Sequence, residues 1–216
     1  AFPFTIQPGG GIGFDVGIYA LTALLSILGP VQEVSGVVRT RRPERQDTSL
    51  EHFGEPVQVA CENLMSGLLQ FECGAVGTLL FDANSIFTAP ERPSLVLHGT
   101  LGVLSMADPN NFGGEVRVIL KGNNEPFVMQ QSHAFSTECR GLGVAEMAWS
   151  MRMGRKNRAN KEMAYHALEV LHGLVKSSTA RSNQVMQSRF EKLPPLPRGY
   201  SGQTYFEFIE ETGIAL

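Results

Sequence analysis

The chain has 216 residues, 43% of them apolar, enough to bury one full core or one core with a small appendage. A formal charge of −3 with 18% charged residues excludes nucleic acid and anionic membrane as principal partners. Cys61, Cys73 and Cys139 stand far apart with no CxxC, which fits a reduced, cytoplasmic compartment and no disulfide framework.

Residues 1–8 read as an extended approach that ends at Pro8. Gly9 to Pro30, GGGIGFDVGIYALTALLSILGP, follows as a glycine run, a helix and a Gly-Pro stop. Phe14, Ile18, Leu21, Leu25 and Leu28 fall on one apolar stripe, and most other positions are Val, Ala, Leu or Ile, so the helix is expected to be buried nearly all round. Val31 to Thr40 has the β-branched density of a strand, and 41–56 is a polar, Pro/Gly-bounded loop. Period-two alternation then places Val57, Val59 and Cys61, and next Leu69, Phe71 and Cys73, on one face of successive strands. Gly74 turns the chain into AVGTLLFDANS; two strands flank Gly99 to Gly102, and a further pair flanks KGNNE. Turns this short predict an antiparallel meander. The helical period returns in GVAEMAWSMRMG and again from about Asn160 to Ser177, with Asn160 as candidate N-cap; 188–216 is a tail. The order is helix, many strands, helices, which predicts an α+β fold: an open, mainly antiparallel sheet with helices on one face.

The glycine run is not a dinucleotide fingerprint. Counted from Gly11, the third glycine of GxGxxG would fall on Val16, and no apolar strand precedes the run. Three glycines at a helix N-terminus do permit close backbone approach and offer bare amides to a ligand. Asp15, Tyr19, Thr22 and Ser26 form a polar stripe on the apolar helix. Burying an unpaired carboxylate costs several kcal/mol, roughly, so the stripe must meet water, a partner or a ligand. Spacing leaves two readings open. Either Asp15 caps the helix and Tyr19 satisfies a core neighbour, or the phenol beside the carboxylate relays a proton to a hydroxyl or carbonyl.

The same helix, GGGIGFDVGIYALTALLSILGPV, resembles the GGG-x-x-x-D-x-G-x-[HY] helix that opens the C-terminal domain of the glucose-fructose oxidoreductase / inositol dehydrogenase (Gfo/Idh/MocA) superfamily. The likeness continues through LLQFECGAVGTLLFDANS, LVLHGTLGVLSMADPNNFGGEV and RGLGVAEMAWSMRMGRKNRANKEMAYHALEVLHGL, about residues 8–178. The resemblance implies an NAD(P)-dependent oxidoreductase of sugars, cyclitols or related alcohols, with NAD or NADP bound by an N-terminal Rossmann domain. It assigns Asp15 to the substrate site and Tyr19 to the acid/base position, which is His in the inositol dehydrogenase branch and Tyr in the glucose-fructose oxidoreductase branch. Gly9, Gly10 and Gly11 would touch the cofactor only at its edge. The family's Glu-Lys-Pro lysine, which helps to activate the acid/base group, has no counterpart here: in Glu191-Lys192-Leu193-Pro194 a leucine interrupts the motif, and it lies after the catalytic helix. Residues 1–216 are therefore expected to form a single C-terminal domain with its core at 8–178, separated from a Rossmann half and inactive alone.

Two weaker substrate-binding candidates remain. His166 on the late helix either faces the cleft or is a satisfied core histidine, and Asn84, next to Ser85, stands at a strand end where turn formers are common. No histidine pair has metal-ligand spacing, so no metal is expected. The apolar strand face that helices do not cover predicts a homodimer or tetramer built sheet to sheet. The second functional reading is a non-catalytic homo-oligomeric interaction module that keeps the fold without a cofactor domain.

Overall fold

The computed structural model describes residues 3–85, 94–133, 135 and 139–196. In chain order its elements are a 3-10 turn (Pro3–Ile6), a π-helical turn (Gly13–Gly17), α1 (Ile18–Leu28), β1 (Val31–Arg39), β2 (Glu44–Gln46), β3 (Pro56–Gln58), β4 (Leu64–Phe71), β5 (Val76–Asp82), β6 (Leu95–Gly99), β7 (Gly102–Met106), β8 (Val116–Leu120), β9 (Phe127–Val128), α2 (Leu142–Arg152), α3 (Lys161–Ala180) and β10 (Gln184–Val185). Within the span read from sequence as one domain, the chain packs as two compact units, Ala1–Thr88 with Lys161–Lys192 and Ala89–Asn160 with Leu193–Leu216.

The first unit is a four-stranded antiparallel sheet in the order β10-β1-β4-β5 with α1 and α3 on one face. Alternation decides that face. The cross-strand rows Val34–Leu69–Gly77, Gly36–Gly67–Leu79 and Val38–Met65–Phe81 turn inward against Leu21 and Leu25 of α1 and Val170, Leu171 and Leu174 of α3. Gly36 and Gly67 pair directly and leave a notch. A Cβ on Gly36 would lie 2.8 Å from Leu174 Cδ2, and one on Gly67 closer still, so α3 sinks against the sheet where both side chains are absent. Beyond β10 the edge of β1 is closed by hydroxyls: Gly36 N–H donates to Ser177 Oγ at 3.0 Å and Val38 N–H to Ser178 Oγ at 2.9 Å. On the opposite face Val37, Leu68, Val76 and Leu80 are each at least half exposed.

The second unit carries the meander β6-β7-β8-β9, its first two strands joined through Thr100 and Leu101. Helix α2 buries Glu146, which accepts Arg155 Nη1 and Arg158 Nη1, each at 2.6 Å, and so fixes the segment that leads to α3. Burial pushes the Glu146 carboxyl up, but the two guanidinium hydrogen bonds outweigh it and hold the group below the usual carboxylate range.

The α+β class, the antiparallel pairing and helices on one face of the sheet match the sequence reading. Two details do not. Helix α1 is buried on one side only: Leu21 and Leu25 are enclosed, while Tyr19 and Ile27 are exposed, because apolar composition does not say whether a partner covers a face. The predicted loop 41–56 contains β2, paired with β3 as an exposed hairpin whose polar residues carry no strand signal. Among the described residues no helix is long and apolar enough to cross a membrane.

Candidate functional site

The glycine run makes a tight turn rather than an open cradle. Gly9 and Gly11 have φ of +93° and +104°, which only glycine adopts without strain. Gly10 N–H donates to Gln7 O at 2.9 Å, Gly11 N–H to Thr5 O at 3.0 Å and Ile12 N–H to Glu62 O at 3.2 Å. Of the amides expected to be bare there, those of Gly10 and Gly11 are thus already engaged, which corrects the reading for these two. Side chains are excluded too: a Cβ on Gly11 would lie 2.7 Å from Glu62 O. Only the outer side of Gly9 is open, with nothing within 4 Å of an added Cβ.

Beyond the turn, the chain enters Gly13–Gly17 as a π-helical turn before α1 begins. Its glycines face inward. A Cβ on Gly13 would meet Met65 Sδ at 2.9 Å and one on Gly17 the Phe81 ring at 2.5 Å, so the turn lies flat on β4 and β5. Phe14 turns to the side and meets the His172 ring at 4.9 Å between centroids. Asp15 and Val16 are thereby left on the solvent side, and wide turns of this kind recur at functional sites.

The polar stripe divides in two. Thr22 Oγ1 donates to Ile18 O at 2.8 Å and Ser26 Oγ to Ala23 O at 2.8 Å, so both hydroxyls are satisfied by their own helix. Asp15 is exposed and Tyr19 is 45% exposed, and among the described residues neither side chain has a hydrogen-bond partner. Asp15 therefore caps nothing and Tyr19 satisfies no core neighbour. A carboxylate and a phenol stand one turn apart at the open face of a helix whose other face is locked into the core.

The remaining candidates fall elsewhere. His166 is fully buried; Val31 N–H donates to its Nε2 at 2.9 Å and its Nδ1 lies 2.9 Å from Ser188 Oγ. With both nitrogens used inside the core it cannot reach a substrate, so it belongs to the architecture. Asn84 is likewise spent: its Nδ2 donates to Asn63 Oδ1 and Asp82 Oδ1, each at 3.0 Å, and its Oδ1 accepts Arg45 Nη2 at 2.6 Å. Ser85 Oγ bonds Asp82, whose carboxyl sits below its ordinary value through that bond and those from Asn84. The Asn84 amide is engaged within this strand-end network, against the expectation that it meets a substrate, while Ser85 is exposed. The sequence reading passed over Glu62, whose Oε2 lies 3.6 Å from the place a Gly11 Cβ would take and adds a second carboxylate beside the glycine turn. Nothing in its neighbourhood Cys61-Glu62-Asn63 signals this in sequence, because the contact is made across a distance of about fifty residues.

An open-sheet α+β unit with a glycine turn leading into an Asp/Tyr helix defines a class of fold and site, and comparison gives that class a family. Residues 3–105 match the family model described as the GFO/IDH/MocA C-terminal domain, and this stretch of the chain belongs to that family. The sequence resemblance runs on to about residue 178, beyond the matched stretch. No curated protein matched the chain. Among solved structures, levoglucosan dehydrogenase in complex with NADH and L-sorbose is similar at a TM-score of 0.64 and 16% identity, over 86% of this chain and 53% of that one. An NAD binding oxidoreductase from Klebsiella pneumoniae gives 0.62 and 20% over 83% and 52%. An aldose-aldose oxidoreductase from Caulobacter crescentus, complexed with glycerol, gives 0.58 and 19% over 82% and 48%. At such identities the likeness is one of fold, and the chain spans about half the length of these neighbours.

Proposed function

We propose that this chain is the substrate-binding and oligomerisation domain of an NAD(P)-dependent oxidoreductase that acts on a sugar, a cyclitol or a related alcohol. The observation that carries the reading is the unpartnered pair Asp15 and Tyr19 at the open end of a helix whose other polar residues are satisfied. In the whole enzyme Tyr19 exchanges the proton of the reacting hydroxyl, and Asp15 orients that hydroxyl or Tyr19 itself. The nicotinamide, held by a separate Rossmann domain, supplies hydride acceptance or donation. Gly9 is the fitting point of contact for it, since its outer side is open, while Gly10 and Gly11 stand behind it in the same turn. Names of structural neighbours that include NADH with L-sorbose and glycerol agree with this class of cofactor and substrate.

A panel of aldoses, cyclitols and polyols with NAD and with NADP, followed by nicotinamide absorbance in the intact protein, finds the substrate. Tyr19→Phe on the best substrate then tests the assignment, and unchanged turnover overturns it. The chain alone is expected to bind NADPH weakly and to turn over nothing; tight binding with hydride transfer would sink that expectation.

Assembly follows from the outer sheet face. Val37 and Leu80 flank Ser66 in one cross-strand row and Leu68 lies in the next, each about half exposed. A homodimer or tetramer formed sheet to sheet covers them. Light scattering at tens of micromolar, roughly the range where standard interfaces are saturated, should show the oligomer, and Leu68→Glu should shift it toward monomer. The competing reading, an interaction module without catalysis, shares this assembly but gives Tyr19→Phe no effect on any turnover.

A further inference from the structure

In the first unit His166 is fully enclosed, and its bonds fix the tautomer of the neutral ring. Val31 N–H is only a donor, so Nε2 must be bare to accept it at 2.9 Å. Nδ1 therefore carries the proton and donates to Ser188 Oγ at 2.9 Å, and the Ser188 hydroxyl in turn donates a hydrogen bond to Glu169 Oε2. Glu169 also accepts Gln187 N–H and Ser188 N–H, each at 2.8 Å. The imidazole thus bridges the α1–β1 junction Gly29–Val31 on one side and the segment after β10 on the other, with the Phe190 ring 5.4 Å away.

We propose that His166 is an acid-responsive peg: neutral, it pins the α1–β1 junction to α3 through Val31, and protonated, it releases that junction while keeping Ser188. The asymmetry comes from the donors. A proton on Nε2 sets two N–H groups face to face and destroys the Val31 bond, leaving a buried amide without an acceptor. The same proton leaves Nδ1–H to Ser188 in place and strengthens it, because the imidazolium now faces Glu169 through the hydroxyl. The charged groups around the ring are Glu169 on α3, Arg189 on the segment after β10, and Glu72 at the β4–β5 turn, where it pairs with Arg189. Burial, opposed by Glu169 and assisted by Arg189, sets the His166 pKa below the ordinary histidine value. Release therefore falls on the acid side of about pH 6.5, where Glu169, held below the ordinary carboxylate range by its hydrogen bonds from Ser188 and Gln187, is still ionised. The peg is independent of the reaction assigned to Asp15 and Tyr19, although it holds the far end of the helix that carries Tyr19.

Hydrogen exchange resolved to single amides in the intact protein tests it, between about pH 8 and about pH 5 and corrected for intrinsic rates. Protection at Val31 should fall about tenfold per pH unit below the His166 titration, while Gln187 and Ser188 stay protected. In His166→Gln, whose amide can accept from Val31 and donate to Ser188 without titrating, the slope at Val31 should vanish. The proposal is overturned by a flat Val31 in the unmodified protein, by Val31 and Ser188 fading together, or by a slope that survives in the variant. If the variant does not fold, the ¹⁵N shift of His166 Nε2 decides in the unmodified protein. It must report a bare nitrogen at neutral pH and titrate in step with Val31; titration out of step overturns the peg.

Discussion

Helices α1 and α3 each carry polar residues on an apolar background, and the structure treats them in opposite ways. On α3, His166 and Ser177 are enclosed and every polar atom faces a partner. On the π turn and α1, Asp15 and Tyr19 stand open without one among the described residues. A buried polar group that is not satisfied would cost the fold, so the α3 set is explained by architecture alone. The open pair contributes nothing visible to stability, and its position on a rigidly packed helix is what a site requires. Hydrogen-bond satisfaction, not residue type, separates the two.

The sharpest way to break that comparison is to remove the Tyr19 hydroxyl. Tyr19→Phe in the intact enzyme should lower kcat by about 10²–10⁴-fold, the usual contribution of a general acid or base. The melting temperature should hardly move, since no intramolecular hydrogen bond is lost. Asp15→Asn should slow turnover with the same indifference in stability. A fall in melting temperature with intact kcat would place the pair with His166, on the side of architecture.

The opposite intervention belongs on α3. His166→Leu fills much of the ring's volume but leaves Val31 N–H with no acceptor, a loss of about 1–3 kcal/mol from that amide alone. Chemical denaturation checks it, and kcat per folded molecule should be nearly unchanged. The pH profile adds a second reading. A histidine whose folded pKa is lowered gives stability that is complete above about pH 6.5 and lost as pH falls through the folded value. Glu169 and Glu146, also lowered, behave the same way further toward acid, below the ordinary glutamate value of about 4.3. Stability should therefore decline in two stages on acidification, and His166→Leu should remove the first.

Gly67→Ala probes how closed the closed side is. Its Cβ would press on Leu174 and come within 2.8 Å of Ser35 O, a backbone atom that cannot rotate away. Overpacking of this kind costs about 1–3 kcal/mol, read as a lower denaturation midpoint with unchanged slope.

Sequence made much of this visible, and the limits have physical causes. The stripe Phe14–Leu28 and the alternation Leu69, Phe71 against Gln70, Glu72 survive intact, because burial on one face imposes a period that one strand or helix displays by itself. Asp15 and Tyr19 were legible as a pair for the same reason. The π turn was not, since its inward glycines answer to Met65 and Phe81, some fifty or more residues away. His166 was ambiguous in sequence because its fate depends on Val31 and Ser188, which are partners only after folding. Cys73 shows the alternation failing at a strand end: it continues the inward series of Leu69 and Phe71, yet it is exposed, because the chain turns at Glu72–Gly74 before it can point inward.

The smallest expected effect is also the most specific. Ser26 lies on the same stripe as Asp15 and Tyr19, and its hydroxyl donates to Ala23 O, a carbonyl of its own helix. A serine bonded back to its helix competes slightly with helical geometry, and alanine is the better helix former. Ser26→Ala should therefore raise stability by up to about 0.5 kcal/mol, measured by denaturation, and leave both kcat and KM unchanged. If the whole polar stripe were the substrate surface, the hydroxyl would be exchanged from Ala23 to substrate during catalysis, and its removal would raise KM. An unchanged KM confines the chemistry to the two residues that have no partner of their own. A raised KM would mean that an intramolecular hydrogen bond on an exposed helix face does not mark a residue as structural, and the distinction drawn between α1 and α3 would fail there first.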